Sequence, residues 1–144
     1  EYINKSEVVF DIGSGAGFPG LILSFAGVKE VNLVEKLEKK ADFLAVAASL
    51  SENKVNICNQ NVKEMNVDFC DVITARGFAS LDNILSLTKG IAKENTKYIL
   101  QKGRNVEEEI KKALEKWSFQ YIIHKSKTSE DGCILELKRN EKRS

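Results

Sequence analysis

Four glycines crowd into the segment Gly13-Ser14-Gly15-Ala16-Gly17-Phe18-Pro19-Gly20, directly after the apolar run Val8-Val9-Phe10-Asp11-Ile12. Glycine lets a chain turn with positive φ and lets a ligand approach the backbone without meeting a Cβ. Pro19 suits the first turn of a helix, where its missing N–H costs nothing. A helix starting there offers unpaired N–H groups and a partial positive charge to a carboxylate or phosphate. The spacing Gly15-x-Gly17-x-x-Gly20 fits a nucleotide-binding loop, although alone it also fits a purely structural turn. Glu35 closes the next apolar run, Val31-Asn32-Leu33-Val34-Glu35, where a carboxylate can accept hydrogen bonds from two ribose hydroxyls. NAD and S-adenosylmethionine both carry such a ribose, so Glu35 does not choose between them.

Arg76 raises a second chemical question. It follows the run Asp71-Val72-Ile73-Thr74-Ala75 and precedes a helix expected to begin near Ser80 or Leu81. The helix dipole disfavours a cation there, so Arg76 calls for an anion. A bound carboxylate or phosphate would serve, and so would a salt bridge to Asp82 or Asp71. Lys102 and Arg104 gather after a fifth apolar run and would extend the same basic patch. The later basic group, Lys138, Arg139, Lys142 and Arg143, reads as a solvated chain end.

With 22 basic and 21 acidic residues the formal net charge is only +1, so any nucleic-acid site must be local. Cys58, Cys70 and Cys133 are odd in number and lack metal-ligand spacing, which supports neither a disulfide framework nor a zinc site. They read as small core residues of a reducing compartment. His124, the one histidine, has no nucleophile arranged beside it, and no metal is expected. The 144 residues suit one domain spanning 1–144. No apolar run approaches the roughly 18–20 residues needed to cross a bilayer, and no signal-peptide pattern opens the chain. A cytoplasmic, monomeric protein is the expectation.

The elements that must position these residues alternate. Strands are expected at Val8–Ile12, Val31–Glu35, Val55–Cys58, Asp71–Ala75 and Lys97–Gln101. Between them fall helices at residues 19–26, a stripe of Leu37, Ala41, Leu44, Ala45 and Ala48, and another of Leu81, Ile84, Leu85, Thr88 and Ile91. A last helix carries Val106, Ile110, Ala113, Leu114 and Trp117 on one face, with Asn105 as cap and Glu107 to Glu109 in its first turn, where its dipole favours acid. Those charges need no functional explanation. Phe119–Lys125 and Cys133–Lys138 are strands separated by seven residues, too few for a parallel crossover, so they should pair antiparallel. Alternation of this kind predicts an α/β fold with a mostly parallel sheet, and ligands bind such sheets beyond the carboxyl ends of the strands.

Asp11 makes the loop Asp-x-Gly-x-Gly-x-Gly, and the antiparallel pair closes the chain. Together these resemble class I, Rossmann-like methyltransferases more than dinucleotide dehydrogenases. The segment Asp11-Ile12-Gly13-Ser14-Gly15-Ala16-Gly17-Phe18-Pro19-Gly20-Leu21 is very similar to the signature of the RsmG or GidB family of bacterial small-subunit ribosomal RNA guanine-N7 methyltransferases. Val34-Glu35 with Lys39-Lys40 and Phe43-Leu44, Thr74-Ala75-Arg76-Gly77-Phe78-Ala79-Ser80-Leu81, and Leu100-Gln101-Lys102-Gly103 resemble that family in the same order.

The resemblance implies S-adenosylmethionine as cofactor and transfer of its methyl group to N7 of a guanosine in 16S ribosomal RNA, on the RNA or the 30S subunit. It implies cofactor contacts from Gly13, Phe18, Val62, Lys63 and Arg76; the reading of the residues themselves adds Gly15 and Glu35 to the cofactor side and assigns Arg76, Lys102 and Arg104 to the RNA. Arg76 is expected to position the reactants, and no general base is expected. This chain departs from the family pattern at Val62-Lys63, where a small residue and an acid are usual, and at Gly77, where alanine is commoner. Family members also carry an N-terminal helical segment, expected here to be absent or truncated. A small-molecule methyltransferase and a non-catalytic, cofactor-sensing RNA-binding module remain as alternatives.

Overall fold

The computed structural model describes residues 8–12, 30–34, 54–58, 60–67, 69–76, 80–125 and 132–139, with the backbone alone at 54, 55, 57, 63 and 76. Its strands are β1 (Val8–Ile12), β2 (Glu30–Val34), β3 (Lys54–Cys58), β4 (Val72–Arg76), β5 (Lys97–Lys102), β6 (Phe119–Lys125) and β7 (Cys133–Arg139). They form one sheet in the order β3-β2-β1-β4-β5-β7-β6. The first five in that order run parallel, and β7 pairs antiparallel with both β5 and β6. This is the mostly parallel sheet with an antiparallel C-terminal pair that the alternating pattern predicts.

Parallel strands covered on both faces have no solvent side, which is why β1 and β2 read as nearly continuous apolar runs. Val9, Phe10, Asp11 and Ile12 are all buried, as are Val31 to Val34. The two faces are nevertheless distinct. Phe10, Ile12, Ile73, Ala75, Tyr98, Leu100, Leu135 and Leu137 join one core with the helices α1 (Leu81–Leu87) and α2 (Val106–Leu114). By the strict alternation of a strand, Asp11 and Thr74 point to the other face.

Both helices are shorter than their apolar stripes suggest. Ser80 caps α1, its Oγ accepting from the Asn83 N–H at 3.4 Å. At its end the Ile84 carbonyl accepts both the Thr88 N–H at 3.1 Å and the Thr88 hydroxyl at 2.7 Å, and that hydroxyl meets the Tyr98 hydroxyl at 2.6 Å. Ile91 is buried from the turn that follows. In α2, Val106, Ile110 and Ala113 are buried as expected, but Leu114 is 45% exposed and Trp117 lies past the helix end. Asn105 stands at the N-cap position without a side-chain bond there; its carbonyl instead accepts the Glu109 N–H. The expected helices at 19–26 and 37–48 lie outside the described residues.

Candidate functional site

The strand order reverses between β1 and β4, since β2 and β3 build outward on one side of β1 and β4 and β5 on the other. A crevice at the carboxyl ends of two such strands is where open parallel sheets bind ligands. Ile12, Val34 and Cys58 lie in one register row, and Ile12 is also level with Ala75 and, through it, with Leu100. Arg76 therefore stands one residue past that row, paired with Gln101, beside the end of the strand that leads into Gly13. The register brings Arg76 and the start of the glycine loop to one end of the sheet. Gly13, Gly15, Phe18 and Glu35 themselves lie outside the described residues, and β2 closes at Val34, one residue short of Glu35.

Beneath this end, Asp11 and Thr74 are paired neighbours on β1 and β4, and the Thr74 hydroxyl donates to Asp11 Oδ1 at 2.6 Å. Both side chains are sealed from solvent, Asp11 being 0% exposed. A buried carboxylate is tolerated only where donors meet it. Each partner sits two residues before a candidate contact in sequence, Asp11 before Gly13 and Thr74 before Arg76, so this bond joins the two strands that lead to them. The motif singles out Asp11; its partner Thr74 carries no local signal and emerges only from the register.

Val62 opens a short 3-10 turn (Val62–Glu64) after β3, and its side chain is buried in the core. The bonds of that turn use the N–H groups of Glu64 and Met65, which donate to Asn61 and Val62 carbonyls. The turn's own bonds leave out the N–H groups of Val62 and Lys63.

Lys102 differs from its expected place in an exposed basic patch. Its side chain is 5% exposed and its ammonium bonds Glu109 Oε1 at 2.9 Å. The same oxygen accepts the Leu81 N–H at 3.0 Å, at the first residue of α1. The acidic first turn of α2, which the dipole alone would explain, therefore contains one residue with a tertiary role. Nothing local distinguishes Glu109 from Glu107 and Glu108; packing does. Cys133 pairs with Lys102 across β5 and β7. Burial pushes its thiol up, the Glu109 charge adds to that, and Lys102 offsets it. Arg104, two residues on, is exposed.

Asp82 and Asp71, the two carboxylates considered as partners of Arg76, each accept from described groups. Asp82 accepts from Trp117 Nε1 at 3.0 Å and from the Lys116 ammonium at 3.2 Å, which hold its carboxyl below the usual range, the Trp117 bond most strongly. Asp71 Oδ2 accepts the Val8 N–H at 2.8 Å. His124 contacts Glu136 at 3.0 Å on the β6–β7 ladder, away from this end's glycine motif in sequence and on a different pair of strands. Among the described residues no His, Cys, Asp and Glu group could hold a metal ion, and no helix is long and apolar enough to cross a membrane.

A sequence model of the family described as rRNA small subunit methyltransferase G matches residues 1–136. The ribosomal RNA small subunit methyltransferases G of Rickettsia typhi and Rickettsia prowazekii are each 44% identical over 138 residues, covering 95% of this chain and 71% of theirs. Among solved structures, the ribosomal protein L11 methylase of Lactobacillus delbrueckii subsp. bulgaricus superposes with a TM-score of 0.75 at 17% identity, over 94% of this chain and 71% of that one. Magnesium protoporphyrin IX methyltransferase from Synechocystis PCC 6803 with bound SAM gives a TM-score of 0.66 at 19% identity, over the same shares of the two chains. At those identities the structural likenesses establish the fold, a class I methyltransferase sheet.

Proposed function

The chain belongs to the rRNA small subunit methyltransferase G family, and on that premise we propose that it methylates small-subunit ribosomal RNA with S-adenosylmethionine, at N7 of a guanosine. The observation that carries this is the 44% identity over 138 residues, 95% of this chain. When held at the carboxyl ends of β1 and β4, where the strand order reverses, S-adenosylmethionine would supply an electrophilic sulfonium methyl.

Two observations support that cofactor: the strand reversal falls between β1 and β4, and a hydrogen-bonded buried carboxylate, Asp11, stands two residues before Gly13 in sequence. Gly13, Gly15 and Phe18 would line the cofactor, Glu35 would take its ribose hydroxyls, and the backbone at Val62 and Lys63 would meet the adenine. Arg76 would hold the acceptor RNA beside the methyl, with Arg104 reaching a phosphate from the neighbouring strand end and Lys102 supporting that edge from within. Guanine N7 has an exposed lone pair and no proton, so attack in line with the departing sulfur needs no general base. What the chain contributes is alignment of acceptor and donor and exclusion of water, effects worth several kcal/mol of barrier.

The test is incubation of the protein with labelled S-adenosylmethionine and 30S subunits from cells lacking the enzyme, followed by mapping of the labelled base. Label at a single guanine N7 is the expected result. Label on a different atom would overturn the N7 assignment, and unlabelled subunits would overturn the RNA substrate and favour a small-molecule acceptor.

A further inference from the structure

Two cations meet one indole. Lys89, in the turn after α1, places its ammonium 5.5 Å from the centre of the Trp117 ring, and Arg139, the last residue of β7, places its guanidinium at 4.9 Å. The two charges therefore lie within about 10 Å of each other, comparable with the screening length of 0.1 M salt, and they repel. An aromatic face attracts a cation without neutralising it. The carboxylate bonded to the same indole is already matched: Asp82 accepts Trp117 Nε1 at 3.0 Å and the Lys116 ammonium at 3.2 Å. Among the described residues, neither Lys89 nor Arg139 forms a salt bridge.

Arg139 is held from within the core. Its backbone pairs with Phe119, and its guanidinium donates to the Tyr98 hydroxyl. Thr88 uses its own proton on the Ile84 carbonyl, so the Tyr98 hydroxyl donates to Thr88 and keeps a lone pair for Arg139. Tyr98 is fully buried, whereas Arg139 is half-buried and Lys89 exposed. The basic group that reads in sequence as a solvated chain end thus has one fixed member. A single bond to Tyr98 leaves the rest of a five-donor fork whose geometry suits phosphate oxygens.

Lys138 is in register with Lys97, the first residue of β5, so Arg139 lies past the amino ends of the parallel strands. The six residues of β5, roughly 20 Å, separate it from the carboxyl end of the sheet. We propose that Lys89 and Arg139, gathered on Trp117, bind backbone phosphate of the ribosomal RNA substrate at the end of the sheet opposite the methyl-transfer crevice. A ribosomal subunit is a polyanion that presents phosphates to both ends of so small a domain. Contacts of this kind position the partner and carry no sequence information, so they act on RNA binding and leave the transfer step alone. The identity of the anion rests on the proposed RNA methylation; the paired cations stand on the geometry.

The test compares Lys89→Gln, at an exposed position, and Lys89→Gln/Arg139→Gln with Lys111→Gln, which removes an exposed charge from α2 elsewhere. Filter binding gives the Kd for 16S ribosomal RNA over a series of salt concentrations. KM and kcat on 30S subunits and the Kd for S-adenosylmethionine are measured alongside. The double variant should bind RNA at least about fivefold more weakly near 0.1 M salt and Lys89→Gln about two- to threefold, with the slope of log K against log salt shallower by about one per lost phosphate contact. KM should rise in step, while kcat, cofactor Kd and the Lys111→Gln protein stay within about 1.5-fold of the parent. Unchanged RNA affinity and salt slope in Lys89→Gln would overturn the site, and so would an equal loss in Lys111→Gln. If the unmutated protein leaves 30S subunits unlabelled while Lys89→Gln still weakens RNA binding, the proposed methylation fails and the phosphate site stands.

Discussion

Substituting Thr74→Val probes the bond that joins the two halves of the crevice. Valine preserves the shape of threonine and removes only the hydroxyl, so packing between β1 and β4 is kept while Asp11 Oδ1 loses a donor at 2.6 Å. Both residues are buried, Thr74 at 1% and Asp11 at 0% exposure, so water cannot take the vacated place. A hydrogen bond to a charged group contributes about 1.5–3 kcal/mol, and a buried acceptor left short costs a comparable amount. For a chain of 144 residues that loss converts to a fall in Tm of roughly 5–10 °C.

The same substitution loosens the strand ends that lead into Gly13 and Arg76, so affinity for S-adenosylmethionine should fall by about three- to tenfold. Thr96→Val is the control. Thr96 is equally buried and its hydroxyl donates to the Cys70 carbonyl at 2.6 Å, but it precedes β5, at the amino end of the sheet. It should destabilise the protein without changing cofactor affinity. Circular dichroism melting and titration calorimetry on both variants supply the numbers. A Thr74→Val protein that melts within about 2 °C of the parent would refute the energetic reasoning. Equal loss of affinity in both variants would refute the assignment of the Asp11–Thr74 bond to the site.

Arg76→Ala should keep the fold and cofactor binding largely intact while strongly reducing methylation of 30S subunits, and Arg76→Lys should rescue it only in part, because an ammonium lacks the bidentate fork; unchanged rates for both would make Arg76 structural. Gly90→Ala should be badly tolerated, since a Cβ there would lie 1.9 Å from the Met65 carbonyl oxygen and must push apart two backbones. Overpacking of that kind costs about 1–3 kcal/mol or more, and a urea midpoint equal to the parent's would show that the Met65 segment yields freely. Alkali should destabilise the protein through Cys70, whose thiol is pushed up to about 12, chiefly by burial with the neighbouring Asp71 charge adding. The unfolded thiol ionises near 8.5, so this contribution is intact below that pH and is lost progressively as pH rises toward the folded value. Urea midpoints at a series of pH values should therefore fall above the lower limit, less steeply for Cys70→Ala, and an identical slope in that variant would absolve Cys70.

Much of this architecture is legible in residue order alone. Alternating apolar runs and helical stripes foretell the parallel sheet because a strand buried on both faces must be apolar throughout, as Val8–Ile12 and Glu30–Val34 largely are. The seven-residue gap between β6 and β7 forces the antiparallel pair for a reason of chain length. Glycine spacing marks the loop after β1, because a missing Cβ is a local property that survives in one dimension. Stripe-reading overextends both helices, since Ile91 and Trp117 pack from residues past the helix ends that continue the apolar spacing. What only the tertiary structure decides is which polar groups meet. Asp11 finds Thr74 across 63 residues, and Glu109 is set apart from Glu107 and Glu108 because its carboxylate meets both the Leu81 N–H and the Lys102 ammonium. Lys102 likewise changes from an expected surface cation to a shielded one when α2 folds over the end of β5. Pairings of that kind depend on register and helix placement, and these are settled by burial of the whole core, so no short stretch of sequence contains them.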